Sequence, residues 1–157
     1  MNGRLYFLLG IFCWGGTYET NINPIFIQQK KFIRIICKKS RMEHSHPLFI
    51  FKRILPLKYI FVHKVLRIFY LLSGNVPAVF NEYKARLRIY DTLIVPKPNF
   101  TFFTKCFSFL GPKMYNQIPD NIRKSKNLQL FSRNLKYWLL TCETIDILIN
   151  IFTKCRD

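Results

Sequence analysis

Residues 22 to 41 read Ile-Asn-Pro-Ile-Phe-Ile-Gln-Gln-Lys-Lys-Phe-Ile-Arg-Ile-Ile-Cys-Lys-Lys-Ser-Arg, and the fold follows from reading them as one amphipathic helix. Asn23 is a residue type that caps helix N-termini, and Pro24 suits the first helical position, where its missing N–H costs nothing. Ile25, Phe26, Phe32, Ile33 and Ile36 recur at helical spacing and define an apolar side. Lys31, Arg34, Lys38 and Arg41 recur at steps of three and four, which stacks them along another side with Lys30 beside them. No acidic residue lies between Glu19 and Glu43, so nothing local in sequence neutralises that row. The helix has one side to pack on and another to meet something negative.

A basic row on a helix is ordinarily a solvated face. The balance of the whole chain argues for more. There are 25 Lys and Arg against 8 Asp and Glu in 157 residues, a formal charge of +17. Self-repulsion of that size is best tolerated beside a polyanion, and such a charge is the usual footprint of nucleic-acid binding. An anionic membrane surface is the competing partner. Half the residues are hydrophobic and 17% aromatic, which excludes a disordered basic tail and allows one core or two small lobes.

The five cysteines, Cys13, Cys37, Cys106, Cys142 and Cys155, are odd in number and widely spaced, with no C-x-x-C. That pattern fits buried reduced thiols better than a zinc ribbon or a disulfide framework, and the chain is expected inside the cell, in cytoplasm or nucleus. Residues 4 to 14 form an apolar run too short to span a bilayer and without a small-residue cleavage site. They read as the last turns of a helix whose beginning is missing. Residues 54 to 72 are apolar, but Lys58, His63, Lys64 and Arg67 interrupt them, so no transmembrane segment is expected.

A polar connection, Met42 to Pro47, follows the basic helix. Its His44 and His46 could ligate a metal only with further ligands that the neighbouring sequence does not supply. Pro47 to Lys52 reads as a short helical turn. A second long helix starts near Pro56 and stops at Ser73-Gly74-Asn75. Leu57, Ile60, Phe61, Val65, Ile68, Phe69 and Leu72 make its apolar stripe, and Lys64 and Arg67 project elsewhere. Two such helices on a short connection are expected to pack antiparallel, each hiding its apolar side against the other.

Residues 74 to 85 read as a linker. Arg86 to Val95 and Phe100 to Phe109 read as extended, with a turn at Pro96-Lys97-Pro98-Asn99. Gly111-Pro112 opens a short helix that Ile118-Pro119 closes. Asn127 caps a final helix whose buried stripe is Leu128, Phe131, Leu135, Trp138 and Leu139, with Arg133, Lys136 and Tyr137 off it. Thr141 to Asp157 form a tail. The domains expected are therefore 1–73, a linker over 74–85, a small lobe over 86–140 and a tail over 141–157.

Grouped carboxylates, which two-metal phosphoryl or nucleotidyl transfer needs, are absent from the sequence. Glu82, Asp91 and Asp120 stand singly, and Glu143 and Asp146 suit a helix start, where acids offset the dipole. Neither a Walker A loop, a G-x-G-x-x-G, an H-E-x-x-H nor a G-x-S-x-G occurs. The chain by itself is not expected to be an enzyme, to hold a metal or cofactor, or to take a small-molecule substrate.

Several segments together resemble a known family. They are Leu9-Gly10-Ile11-Phe12-Cys13-Trp14-Gly15-Gly16-Thr17-Tyr18, then Gln28 to Ile36, Pro47-Leu48-Phe49 and Ile54-Leu55-Pro56-Leu57. Further on come Val95-Pro96-Lys97-Pro98, Phe109-Leu110-Gly111-Pro112-Lys113-Met114-Tyr115-Asn116-Gln117-Ile118-Pro119, Ile122-Arg123 and Phe131 to Leu139. In order and spacing they are similar to the region just after the catalytic core in reverse transcriptases of jockey-like non-LTR retrotransposons, over nearly all of the chain up to about residue 140. The spacing and alternation described above give a mainly α fold, an antiparallel helical bundle followed by a small mixed α+β lobe with short strands and a final amphipathic helix; the resemblance implies that the bundle is thumb-like. It also implies a chain without palm or endonuclease. The family's aromatic-x-Asp-Asp carboxylates lie upstream of this region and match nothing here, so its polymerase activity is not implied. A thumb of this type grips the template–product duplex by its backbone. The contact expected is sequence-independent, to RNA or DNA phosphates, through Lys30, Lys31, Arg34, Lys38, Lys39 and Arg41, with Lys64 and Arg67 in support. Two readings stand beside it: a basic amphipathic protein of the membrane surface, and the product of a decayed element without function.

Overall fold

A computed structural model describes residues 19–74, 95, 97 and 107–141. Among these residues all regular structure is helical. The elements are α1 (Glu19–Ile36), α2 (Ser45–Phe51), α3 (Leu57–Gly74), α4 (Phe107–Tyr115), α5 (Asp120–Arg123) and α6 (Leu128–Thr141). The chain is thus mainly α, as expected. The opening run over 4–14, the linker beyond Gly74, the strand over 86–94, the extended run over 100–106 and the tail beyond Thr141 lie outside the described residues.

The helix α3 is the centre of the packing. It meets α1 on one side and makes its principal contacts with α4 and α6. Phe61, Val62, Val65, Leu66 and Phe69 are all buried, Val62 and Leu66 completely. Val62 and Leu66 fall outside the stripe expected from spacing, because α3 is covered from more than one side. Burying each such side chain contributes roughly 1.5–3 kcal/mol. The main core gathers Ile22 of α1, Leu55, then Leu57, Phe61, Val62, Val65 and Leu66 of α3, Phe109, Leu110 and Met114 of α4, Ile118, Ile122 of α5, and Phe131, Leu135, Leu139 and Leu140 of α6. The expectation that the two long helices hide their apolar sides mainly against each other is therefore corrected. Much of the buried surface of α3 is covered by α4 and α6.

The helix α1 divides its attention. Ile22 joins the main core, and Ile33 forms a second small core with Leu48 and Phe49 of α2, against which Cys37 packs. Ile22, Phe26, Gln29 and Ile33 follow one another at helical spacing, and this is the packed face. It is rotated from the expected apolar side. Ile25 and Ile36 are exposed, and Phe32 is 64% exposed. The helix also starts earlier than Asn23 and Pro24 suggested: it begins at Glu19 and takes Pro24 inside it. A proline there withholds the N–H that the Thr20 carbonyl would accept.

The C-terminal helices confirm some expectations and shift others. Asn127 caps α6: its Oδ1 accepts the Leu130 N–H at 2.8 Å. Phe131, Leu135 and Leu139 are completely buried at a spacing of four. Phe107 to Phe109, expected to be extended, is instead the first turn of α4. Gly111 lies mid-helix because α4 presses onto α3 there. A Cβ on Gly111 would stand 2.6 Å from Cδ2 of Phe69. Leu110, Met114 and Ile118, at steps of four, enter the main core. The Phe109-to-Pro119 segment is thus a packing device. Around it Phe69 tilts against Phe107 and Tyr115, and Tyr70 stacks on Phe131 with ring centres 4.2 Å apart.

Candidate nucleic-acid interface

The basic residues of the first half are divided by the way α1 ends. At its C-terminus Lys38 takes a left-handed conformation, φ 52°. The Lys38 N–H donates to the Ile35 carbonyl at 3.0 Å and the Lys39 N–H to the Arg34 carbonyl at 2.9 Å. This pair of bonds is a Schellman motif, usually built on glycine. Here lysine occupies the left-handed position. Lys38, Lys39 and Arg41 consequently do not extend the helical row of Lys31 and Arg34. They sit on the turn between α1 and α2, and the expectation of a helix running through to Arg41 is corrected.

That turn is tied back onto α1. The Arg34 Nε donates to the Glu43 carbonyl at 2.8 Å. The Lys39 ammonium lies 3.5 Å from the Glu43 carboxylate, on the surface. Such an exposed pair is worth at most about 1 kcal/mol. Lys30 lies over the Phe26 ring, 4.3 Å from its centre. Arg34, Lys39 and Lys30 therefore serve the local architecture. Lys31, Lys38 and Arg41 are exposed and have no carboxylate partner among the described residues.

Lys64 and Arg67 belong to a second group, on α3. Both are half-buried. Their neighbour on α3, His63, touches α6: its Nε2 is 3.1 Å from the carbonyl oxygen and 3.2 Å from the Oγ of Ser132. A carbonyl only accepts, so Nε2 carries a proton and donates to it. Burial holds the imidazole below its ordinary range; the Ser132 bond opposes this, and the charges of Arg67, Lys64 and Lys136 add to it. Burial, and then Arg67, also lower Lys64. Lys136 of α6 thus joins Lys64 and Arg67 in one basic neighbourhood. Its sequence signal was the shared outward side of Arg133, Lys136 and Tyr137 on the last helix.

The end of α2 repeats the end of α1. Arg53 has φ 52°, its N–H donates to the Ile50 carbonyl at 3.0 Å, and the Ile54 N–H donates to the Phe49 carbonyl at 3.0 Å. Nothing in the sequence marks Arg53 or Lys38 as left-handed.

His44 and His46 are exposed at the start of α2. Among the described residues no three His, Cys, Asp or Glu side chains come together as a metal-ligand set. None of the described helices is long and apolar enough to cross a membrane. No family model, curated protein or solved structure matches the chain.

Proposed function

We propose that this chain grips RNA or DNA by the phosphate backbone without reading sequence, as a non-catalytic relative of the region that follows the reverse transcriptase core in jockey-like retrotransposons. The observation that carries the binding is the exposure of Lys31 on α1 and of Lys38 and Arg41 on the turn that follows it, without carboxylate partners among the described residues, in a chain of net charge +17. Phosphates supply the missing counter-charge, and their neutralisation releases condensed cations. Arg34 and Lys39 shape the turn, and Lys64 and Arg67 extend the field along α3. The thumb-like character of the bundle and a mixed lobe after it belong to the same reading. The ancestry rests on the order and spacing of the motifs, several of which are core-packing segments in this fold.

The test is retention of labelled single- and double-stranded probes across a salt series. Binding falls with a log–log slope of about −0.7 to −0.9 per phosphate contacted. The triple variant Lys31→Ala, Lys38→Gly, Arg41→Ala reduces the magnitude of that slope by about 2 to 3. Equal retention at low and high salt would overturn the proposal.

A second reading draws on a different observation. Ile25, Phe32 and Ile36 form an exposed apolar strip on α1 beside Lys31. A helix that is basic on one side and apolar on the next suits an anionic membrane surface. Flotation with phosphatidylserine vesicles, stronger than retention of nucleic acid at equal ionic strength, would favour it.

A further inference from the structure

A groove of about 1010 Å³ lies between the end of α2, the short helix α5 and the outward side of α6. Arg53, Asn121, Arg133, Asn134, Lys136 and Tyr137 line it, together with apolar side chains of the three elements. We propose that this groove binds an unpaired nucleotide of a single strand, with its phosphates on Arg53, Arg133 and Lys136 and its base stacked on Tyr137. The inference deepens the backbone-binding reading above and rests on it.

Four observations carry it. The first is charge: three cations line the groove, no carboxylate does, and none of the three has an ion-pair partner among the described residues. The second is Tyr137, which is 70% exposed while Phe131, Leu135, Leu139 and Leu140 of the same helix are buried. An exposed ring beside cations is the usual platform for an unpaired base. The third is Arg53, held left-handed where glycine would be unstrained. Strain of that kind gathers at functional positions. The fourth is continuity. Lys136 lies near enough to His63 to act on its charge, alongside Lys64 and Arg67. The cations of the groove thus run on into those of α3. Asn121 and Asn134 bring both donors and acceptors to a groove roomy enough for a nucleotide.

The experiment measures binding of three probes to the full chain: a labelled thymidylate octamer, a duplex of equal length, and polyglutamate of equal charge. Tyr137→Leu keeps an apolar side chain on an exposed position, so helicity and melting should be unchanged. It should weaken the octamer about tenfold, the lower range for one stacked base, and leave the duplex within twofold. Arg53→Gly should weaken the octamer and raise the melting temperature. An octamer affinity untouched by Tyr137→Leu, with salt-dependent duplex binding intact, overturns the groove alone. Polyglutamate bound as tightly as the octamer also overturns it, in favour of an acidic peptide. Failure of octamer and duplex together at low salt overturns the backbone-binding reading, and the groove falls with it.

Discussion

Gln29 caps the helix that begins at Leu57. Its Oε1 accepts the Leu57 N–H at 2.8 Å, and its Nε2 donates to the Leu55 carbonyl at 3.0 Å. The first N–H groups of any helix have no partner within it. Here α1 supplies one from 28 positions upstream, and the amide grips the backbone on both sides of Pro56. Gln29 thereby sets where α3 starts relative to α1.

Replacing that amide should be costly. Gln29→Leu leaves the Leu57 N–H and the Leu55 carbonyl without partners in a half-buried place, a loss of about 1–3 kcal/mol. Urea denaturation followed by circular dichroism reads it as a lower midpoint. Gln29→Glu keeps the acceptor and loses the donor, so it should fall between. An unchanged midpoint in Gln29→Leu would mean that water replaces the clamp freely.

Gly111 should resist even a methyl group. The new Cβ would meet the Phe69 ring at 2.6 Å, well inside van der Waals contact. Overpacking of this kind costs about 1–3 kcal/mol. Pairing Gly111→Ala with Phe69→Leu should recover part of the loss, because the ring that obstructs the methyl is gone. A double-mutant cycle measures that recovery, and strict additivity would place the obstruction elsewhere.

Lys38→Gly and Arg53→Gly should each stabilise the fold. A left-handed residue with a Cβ costs about 1–2 kcal/mol that glycine avoids, partly offset by the greater freedom of glycine in the unfolded chain. The net gain expected is about 0.5–1 kcal/mol for each. Each substitution also removes a cation, so nucleic-acid affinity should drop as the melting temperature rises. Movement of both in the same direction would contradict a trade of stability for binding at these turns.

Stability should depend on pH through His63. Its folded-state pKa is lowered, chiefly by burial, from the ordinary 6.5. Between 6.5 and the lower folded value the unfolded chain binds more protons than the folded one. The contribution is therefore complete above the unfolded value and is lost as pH falls through that window. Below the folded value it levels off. Urea midpoints from about pH 8 to about pH 5 should show the decline, and His63→Gln should flatten it. The groups facing the ring from its own helix and from α6 are Lys64, Arg67, Ser132 and Lys136, none of them acidic.

Sequence alone determined the helical class, the existence of α1, α2, α3 and α6, and the Asn127 cap. Each of these depends on local spacing and local hydrogen bonding, which a chain carries wherever it folds. It also determined the excess of cations. Where those cations go was decided by tertiary structure. The hydrophobic residues of α1 outnumber the surface its neighbours offer, so packing chose Ile22, Phe26 and Ile33 and left Ile25, Phe32 and Ile36 outside. Lys38 and Arg53 turn left-handed with no glycine to announce it, because the chain must leave each helix toward its next contact. The meeting of Arg53 with Arg133, Lys136 and Tyr137 joins residues about 80 positions apart, and only the docking of α2 and α5 on α6 brings them to one groove.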